Sequence, residues 1–301
     1  MKPSVRAALW MLGSITAFSA MAVAGKQVRS VHDTFEIMTF RSAIGIPLVL
    51  LIATLTGQLR QIKADRLGGH LVRNVMHFAG QNLWFWALAM IPLAQLFALE
   101  FTSPIWVILL SPLLLAEKLT RARVLAAVLG FLGILVVARP DLSDINYGVL
   151  AAACSAICFA ATSIATKKLT RGQSIITIMF WLTTMQLCFG LIAMLYDGQV
   201  TWPTAATLPW LILIGVCGVI AHYSLTSALS LAPASYVMPI DFMRLPLIAV
   251  VGAVGYGESL DPYVLGGGAV IFLGIWINIH AELSSQSTKS ATGKLWRWLR
   301  T

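Results

Sequence analysis

Charge is scarce in this chain. Asp, Glu, Lys and Arg make up 11% of its 301 residues, against about 25% in a soluble globular domain. So few charges cannot give a globule a water-facing skin, and they exclude a disordered chain, which depends on charge and low hydrophobicity. Acidic residues are the rarer sign, 12 against 21 basic ones. In a chain this apolar, basic residues report membrane orientation rather than a nucleic-acid partner, so no nucleic acid is expected. Cysteine is sparse as well. Cys154, Cys158, Cys188 and Cys217 all fall inside apolar runs with no CxxC spacing, so neither disulfides nor a metal site are expected. Motifs for nucleotide hydrolysis or nucleophilic catalysis are missing: there is no P-loop, no HExxH and no GxSxG. Neither an ATP-driven pump nor a recognisable hydrolase is supported, the chain is not read as an enzyme, and no cofactor is expected.

What fills the chain is hydrophobic residues, 58% of the total, with a mean hydropathy of +0.82. A helix crossing a bilayer needs about 20 such residues. Candidate spans cover 7–24, 35–56, 71–90, 94–115, 121–138, 147–165, 175–196, 208–230, 235–256 and 262–280. Pro92 divides the third from the fourth and Pro233 the eighth from the ninth, because proline disfavours a continued helix. The apolar runs are continuous rather than alternating, which argues against a β-barrel. The expected fold is an all-α integral membrane protein with ten transmembrane helices. Lys2, Arg6 and the Ala22-Val23-Ala24 run give the first span a likeness to a signal peptide, but an internal repeat assigns that span to the fold.

Shifted by 141 residues, the sequence aligns with itself without a gap from about 7 to 134. Phe18 and Lys26 fall on Phe159 and Lys167, Pro92 on Pro233, and Glu117 on Glu258. Phe131-Leu132-Gly133-Ile134 falls on Phe272-Leu273-Gly274-Ile275. Each half holds five spans. An odd number turns the second half upside down relative to the first, so the halves form two inverted-topology five-helix repeats. The expected division is 1–140, 141–281 and a basic, aromatic tail over 282–301. With the N-terminus in the cytoplasm, sixteen Lys and Arg residues lie inside and three (Lys26, Arg29, Arg139) outside. This positive-inside bias puts both termini in the cytoplasm. The tail, with Lys294, Trp296, Arg297, Trp298 and Arg300, suits the anionic inner leaflet.

Ser103-Pro104-Ile105-Trp106 leading to Ala116-Glu117-Lys118 resembles the Pro…Gly-Glu signature of EamA-domain proteins, with Ala116 where glycine is usual. Leu245-Pro246 leading to Gly257-Glu258 is its second copy. Gly130-Phe131-Leu132-Gly133 and Phe272-Leu273-Gly274 fit the glycine-rich fifth helix of each repeat. The chain is thus similar to drug/metabolite transporter superfamily members with two EamA repeats. The resemblance implies an inner-membrane carrier of small metabolites with a cavity lined by helices three, four, eight and nine.

Ionisable groups within the spans are functional candidates because hydrocarbon penalises them. Glu100 and its repeat mate Asp241 suggest a pair facing one cavity, binding a substrate amine or a proton. The alternative is an ordering ion pair with Arg41 or Arg244, and Asp241 and Arg244 stand three apart on one helical face. With no arginine within a turn of its own helix, Glu100 is the expected proton carrier and Asp241 the fixed charge. Arg41 is either a substrate-carboxylate clamp or a snorkelling anchor, with the anchor favoured. Lys26 and Lys167 read as interface anchors, and His280 as interfacial. His77, Gln81 and Trp84 share one helical face, with Asn82 beside it, and His222 with Tyr223 answers Gln81 in the second half. These side chains line a cavity or bond between helices, since polar groups need partners in a membrane. Pro104, Pro112, Pro239 and Pro246 place interruptions in matching helices, as at transporter binding sites. Ala122, Ala126 and Gly130, with Gly266 and Gly274, form small-residue rows that serve helix packing or a homodimer.

The expected function is a secondary transporter moving a small metabolite, amino-acid-like or otherwise amphoteric, by alternating access. A membrane-embedded enzyme and a non-transporting partner subunit are the alternatives. The charge bias generates a first prediction. A C-terminal alkaline phosphatase fusion stays inactive while a fluorescent-protein fusion at the same site folds and glows; an active phosphatase reverses the orientation.

Overall fold

The computed structural model describes residues 1–88, 90–91, 93–138, 146–196, 200–256 and 262–298, and all regular structure among them is helical. Pro92, Arg139, Gly257, Glu258 and Arg300, all used above, lie outside the described residues. The helices are α1 (Pro3–Val28), α2 (Thr34–Leu55), α3 (Leu67–Leu88), α4 (Leu93–Glu100), α5 (Ser103–Leu115) and α6 (Arg121–Ala138). There follow α7 (Tyr147–Leu169), α8 (Ile175–Met194), α9 (Leu208–Leu231), α10 (Ala234–Val237), α11 (Arg244–Tyr256) and α12 (Pro262–Trp298). Starts expected at 121, 147, 175 and 208 fall on the observed ones, while α1 and α7 run four residues past their expected ends.

Among the described residues, seven helical stretches are long and apolar enough to cross a membrane: Pro3–Val28, Thr34–Leu55, Leu96–Leu115, Tyr147–Leu169, Ile175–Met194, Leu208–Leu231 and Pro262–Ser284. Their outward faces carry bare aliphatic side chains such as Leu113, Ile192 and Leu265. Such a surface suits acyl chains and is a liability in water.

Local chemistry sets the ends. Asp33 caps α2 by accepting from the Glu36 N–H, and the Glu36 carboxylate accepts from the Asp33 N–H in return, satisfying donors that a helix start leaves open. Asn146 and Ser174 cap α7 and α8 in the simpler way. The helix expected over 94–115 is interrupted at Phe101 and Thr102, and Ser103-Pro104 restarts it. The span expected over 235–256 is interrupted by a 3₁₀ stretch, Met238–Met243, and restarts at Arg244. Under the 141-residue shift Ser103 corresponds to Arg244, so the two restarts fall at matching positions. Proline at the first turn explains why each restart is tolerated there.

The packing is pairwise. α1 lies along α9, α3 along α7, α2 along α8 and α6 along α12. The expected small-residue rows meet each other across the last pair, within one chain. A Cβ on Gly133 would sit 2.6 Å from the Gly267 carbonyl oxygen, and one on Gly274 2.9 Å from that of Ala126. The absent side chains let the two backbones touch. Gly266 faces open space.

Gly133→Ala therefore lowers the melting temperature in detergent, costing about 1–3 kcal/mol by overpacking. Gly266→Ala is neutral or slightly stabilising, by up to about 1 kcal/mol through helix propensity. Equal melting temperatures for the two variants would contradict this packing.

Candidate functional site

A central cavity of about 690 Å³ opens between α1, α2, α3, α4, α7, α9, α11 and the 3₁₀ stretch. It reaches the end of the bundle where α1 finishes, past exposed Lys26, Arg29 and Ser30. α3 supplies one wall. Arg73, His77, Gln81 and Trp84 recur at steps of four, four and three, so they stack on one face and all line the cavity. The two helix interruptions supply the opposite wall: Glu100 ends α4, Asp241 sits in the 3₁₀ stretch and Arg244 opens α11.

These three charges form one cluster. The Arg244 guanidinium Nη2 donates to Glu100 Oε1 at 2.8 Å and to Asp241 Oδ2 at 2.9 Å. The other Glu100 oxygen accepts from the Trp84 indole N–H at 2.7 Å. The guanidinium also lies 5.0 Å from the Phe101 ring centroid and 5.5 Å from that of Phe18, within cation–π range. One arginine thereby ties both halves of the chain to the aromatic lining. The distinction drawn between Glu100 as a lone acid and Asp241 as the paired one is corrected: both share Arg244. Sequence distance along one helix hid a partner 144 positions away.

Deeper in the same space, the His77 and His222 rings meet edge to face at 4.9 Å between centroids. His222 also packs on Phe18, and His77 on its repeat mate Phe159. Arg41 donates to Gln81 Oε1 at 3.2 Å. The reading of Arg41 as an interfacial anchor is corrected: only 7% of it is exposed and it lines the cavity. Room for its stem comes from Gly218 on α9, where an added Cβ would lie 3.2 Å from Arg41 Cδ. Tyr223 is placed elsewhere. It packs against Trp10 and the apolar cluster between α2, α8 and α9, because one residue along a helix turns the side chain by about 100°. Asn82 also turns aside and bonds to the Phe78 carbonyl.

Arg73 is one of the sixteen Lys and Arg residues counted on the cytoplasmic side, yet it is 2% exposed and donates to Thr166 Oγ1 and Asn74 Oδ1. Extending the His77–Gln81–Trp84 periodicity one turn backwards would have found it. Lys167, expected as an interface anchor, is partly buried in the last turn of α7. Its ammonium caps the end of α9 by donating to the Leu229 and Ala232 carbonyls.

The opposite end of the bundle is tied shut. Glu117 accepts from the backbone N–H groups of Ala234 and Ser235 and from the Ser235 hydroxyl. Arg123 donates to Ser235 Oγ, to the Lys118 carbonyl and to Glu282 at 2.9 Å, and Arg171 reaches the Leu115 carbonyl. A cavity with one open mouth and one latched end is a membrane carrier's geometry, and comparison with known proteins agrees. The model of the EamA-like transporter family matches residues 5–139 and again 146–279, so the chain belongs to the EamA-like transporter family. It is 31% identical to the riboflavin transporter of Vibrio cholerae over 90% of this chain and 92% of that one. It is 25% identical to the S-adenosylmethionine uptake transporter of Rickettsia prowazekii over 93% and 94%. A crystal structure with 18% sequence identity shares the fold at a TM-score of 0.78, covering 93% of this chain and 98% of its own.

The shared arginine sets an order of stabilities. Arg244→Met leaves two carboxylates in the cavity wall without their cation and costs about 3–5 kcal/mol, as for a broken buried pair. Glu100→Gln and Asp241→Asn each leave Arg244 one carboxylate and cost less. Thermal melts of the three variants in detergent check this; an Arg244→Met melt no lower than the other two would separate the cluster from folding.

Proposed function

We propose that this chain is a secondary carrier that moves a small metabolite with a planar ring and polar ends across the inner membrane. It does so by alternating access. The single observation behind this is the Arg244 bridge to Glu100 and Asp241 in the wall of a one-mouthed cavity. A charged cluster joining both halves of the chain, flanked by Trp84, Phe18 and Phe101, offers polar anchoring and ring stacking at one place. Such a site binds ringed solutes by a few placed polar groups on an apolar lining.

In this reading ten spans form two inverted five-helix repeats with both termini cytoplasmic. The packing supports it: exchanging the repeats converts the α1–α9 pair into the α7–α3 pair, and α5–α7 into α11–α1, and all four occur. Matched halves allow the two ends to exchange roles. The open mouth then faces the outside, and the end held by Glu117, Arg123 and Lys167 faces the cytoplasm. Substrate enters past Lys26, settles against the Arg244 cluster, and is released inward when the latch parts and the outer ends of α1 and α3 close. Glu100 and Asp241 take part by exchanging Arg244 for a substrate cation or donor.

Proteoliposomes carrying the purified protein test the proposal with radiolabelled riboflavin, S-adenosylmethionine and aromatic amino acids. We expect uptake of at least one, lowered about tenfold or more in Glu100→Gln while the protein still melts cooperatively, a loss equal to about 1.4 kcal/mol. Absence of flux for every solute removes the carrier reading; full flux in Glu100→Gln removes the cluster from it.

A further inference from the structure

Arg41 and Arg73 are both more than nine-tenths buried, both line the cavity, and among the described residues neither has a carboxylate within 4.0 Å. Among the described residues Arg41 has one side-chain partner, the neutral Gln81, and Arg73 has two, the neutral Thr166 and Asn74. Each guanidinium carries five N–H donors, so most of their donor capacity is unspent. Burying an ion costs several kcal/mol unless an opposite charge offsets it. Arg244 at the other wall has its two carboxylates; these two arginines have none. His77 and His222 stand beside them with each Nε2 lacking a hydrogen-bond partner. Counting the mouth, five Lys and Arg side chains line the space against two carboxylates. The charge is also segregated, with α3 and α2 positive and the helix interruptions carrying both acids.

We propose that the cavity holds an anionic group, carboxylate or phosphate, between Arg41 and Arg73, with the ring of the same molecule directed towards Trp84 and the Arg244 cluster. The inference rests on the reading of this cavity as the substrate path, and it adds the charge that a substrate must carry. Planar guanidinium forks suit either oxyanion, since both accept paired N–H donors. The two histidine rings are placed to donate an N–H to its remaining oxygens. A neutral solute would leave both cations unmatched and bind more weakly.

Matched probes separate the anion from the ring. Indole-3-acetate against indole-3-acetamide tests the carboxylate, and riboflavin 5′-phosphate against riboflavin tests the phosphate. Binding of each is titrated by tryptophan quenching and by melting shift on the full-length protein in detergent. In wild type the anionic member of at least one pair binds about tenfold more tightly than its neutral partner, a difference of about 1.4 kcal/mol. Arg41→Gln and Arg73→Gln each abolish that preference, while Arg41→Lys, which keeps the charge and need not disturb the Thr166 contact of Arg73, retains most of it. Equal affinities within both pairs, including no binding by any of the four, overturn the inference, as does a preference unchanged in Arg41→Gln and in Arg73→Gln. The carrier reading fails separately: proteoliposome flux of a neutral solute with no anion preference keeps it and removes only this inference.

Discussion

One guanidinium shared by two carboxylates decides where the other parts of this site can be. Arg244 has to reach Glu100 on the fourth helix and Asp241 on its own strand of 3₁₀ backbone, and each helix is interrupted at the point where that becomes possible. Interruption releases backbone groups, which a membrane tolerates only where protein or cavity surrounds them. The charge cluster and the broken helices are therefore two aspects of one constraint. The aromatic lining follows, because a cation held at that point attracts ring faces such as Phe18 and Phe101.

The remaining charge is distributed by the same electrostatics. Hydrocarbon penalises an isolated ion, and the chain answers in three ways. Arg244 is matched by acids, Lys167 is matched by helix-end carbonyls, and Arg123 is matched by Glu282 and a hydroxyl. A basic residue at the end of a helix gains from carbonyls that the helix leaves unbonded, which is what holds the Lys167 ammonium against the end of α9.

Much of the fold was legible because its signals are long. Runs of about twenty apolar residues, a gap-free shift of 141, and prolines at matching places survive a residue or two of error in any boundary. The cavity face of α3 was legible for the same reason, since His77, Gln81 and Trp84 repeat at helical spacing. What was not legible depends on contacts between distant segments. Glu100 looked unpaired because Arg244 is far away in sequence. Arg73 looked like a rim charge because it stands near one, and only the packing of α3 on α7 turns it inward. Tyr223 was carried along by its neighbour His222, although adjacent residues on a helix point about 100° apart. The EamA resemblance brought Glu117 into view without saying what it touches; the structure places its carboxylate on the start of α10.

That last contact has an evolutionary consequence. Glu117 grips two main-chain amides, and every residue except proline offers one. The receiving segment is thus recognised by where its backbone lies, with the Ser235 hydroxyl adding one side-chain contact. Proline at 234 or 235 would remove one of the two amides, and at 235 the hydroxyl that joins Glu117 to Arg123 adds a side-chain requirement. The burden of identity falls on the acid and on that one hydroxyl. A fold that fastens itself in this manner can drift widely in sequence around a few fixed points.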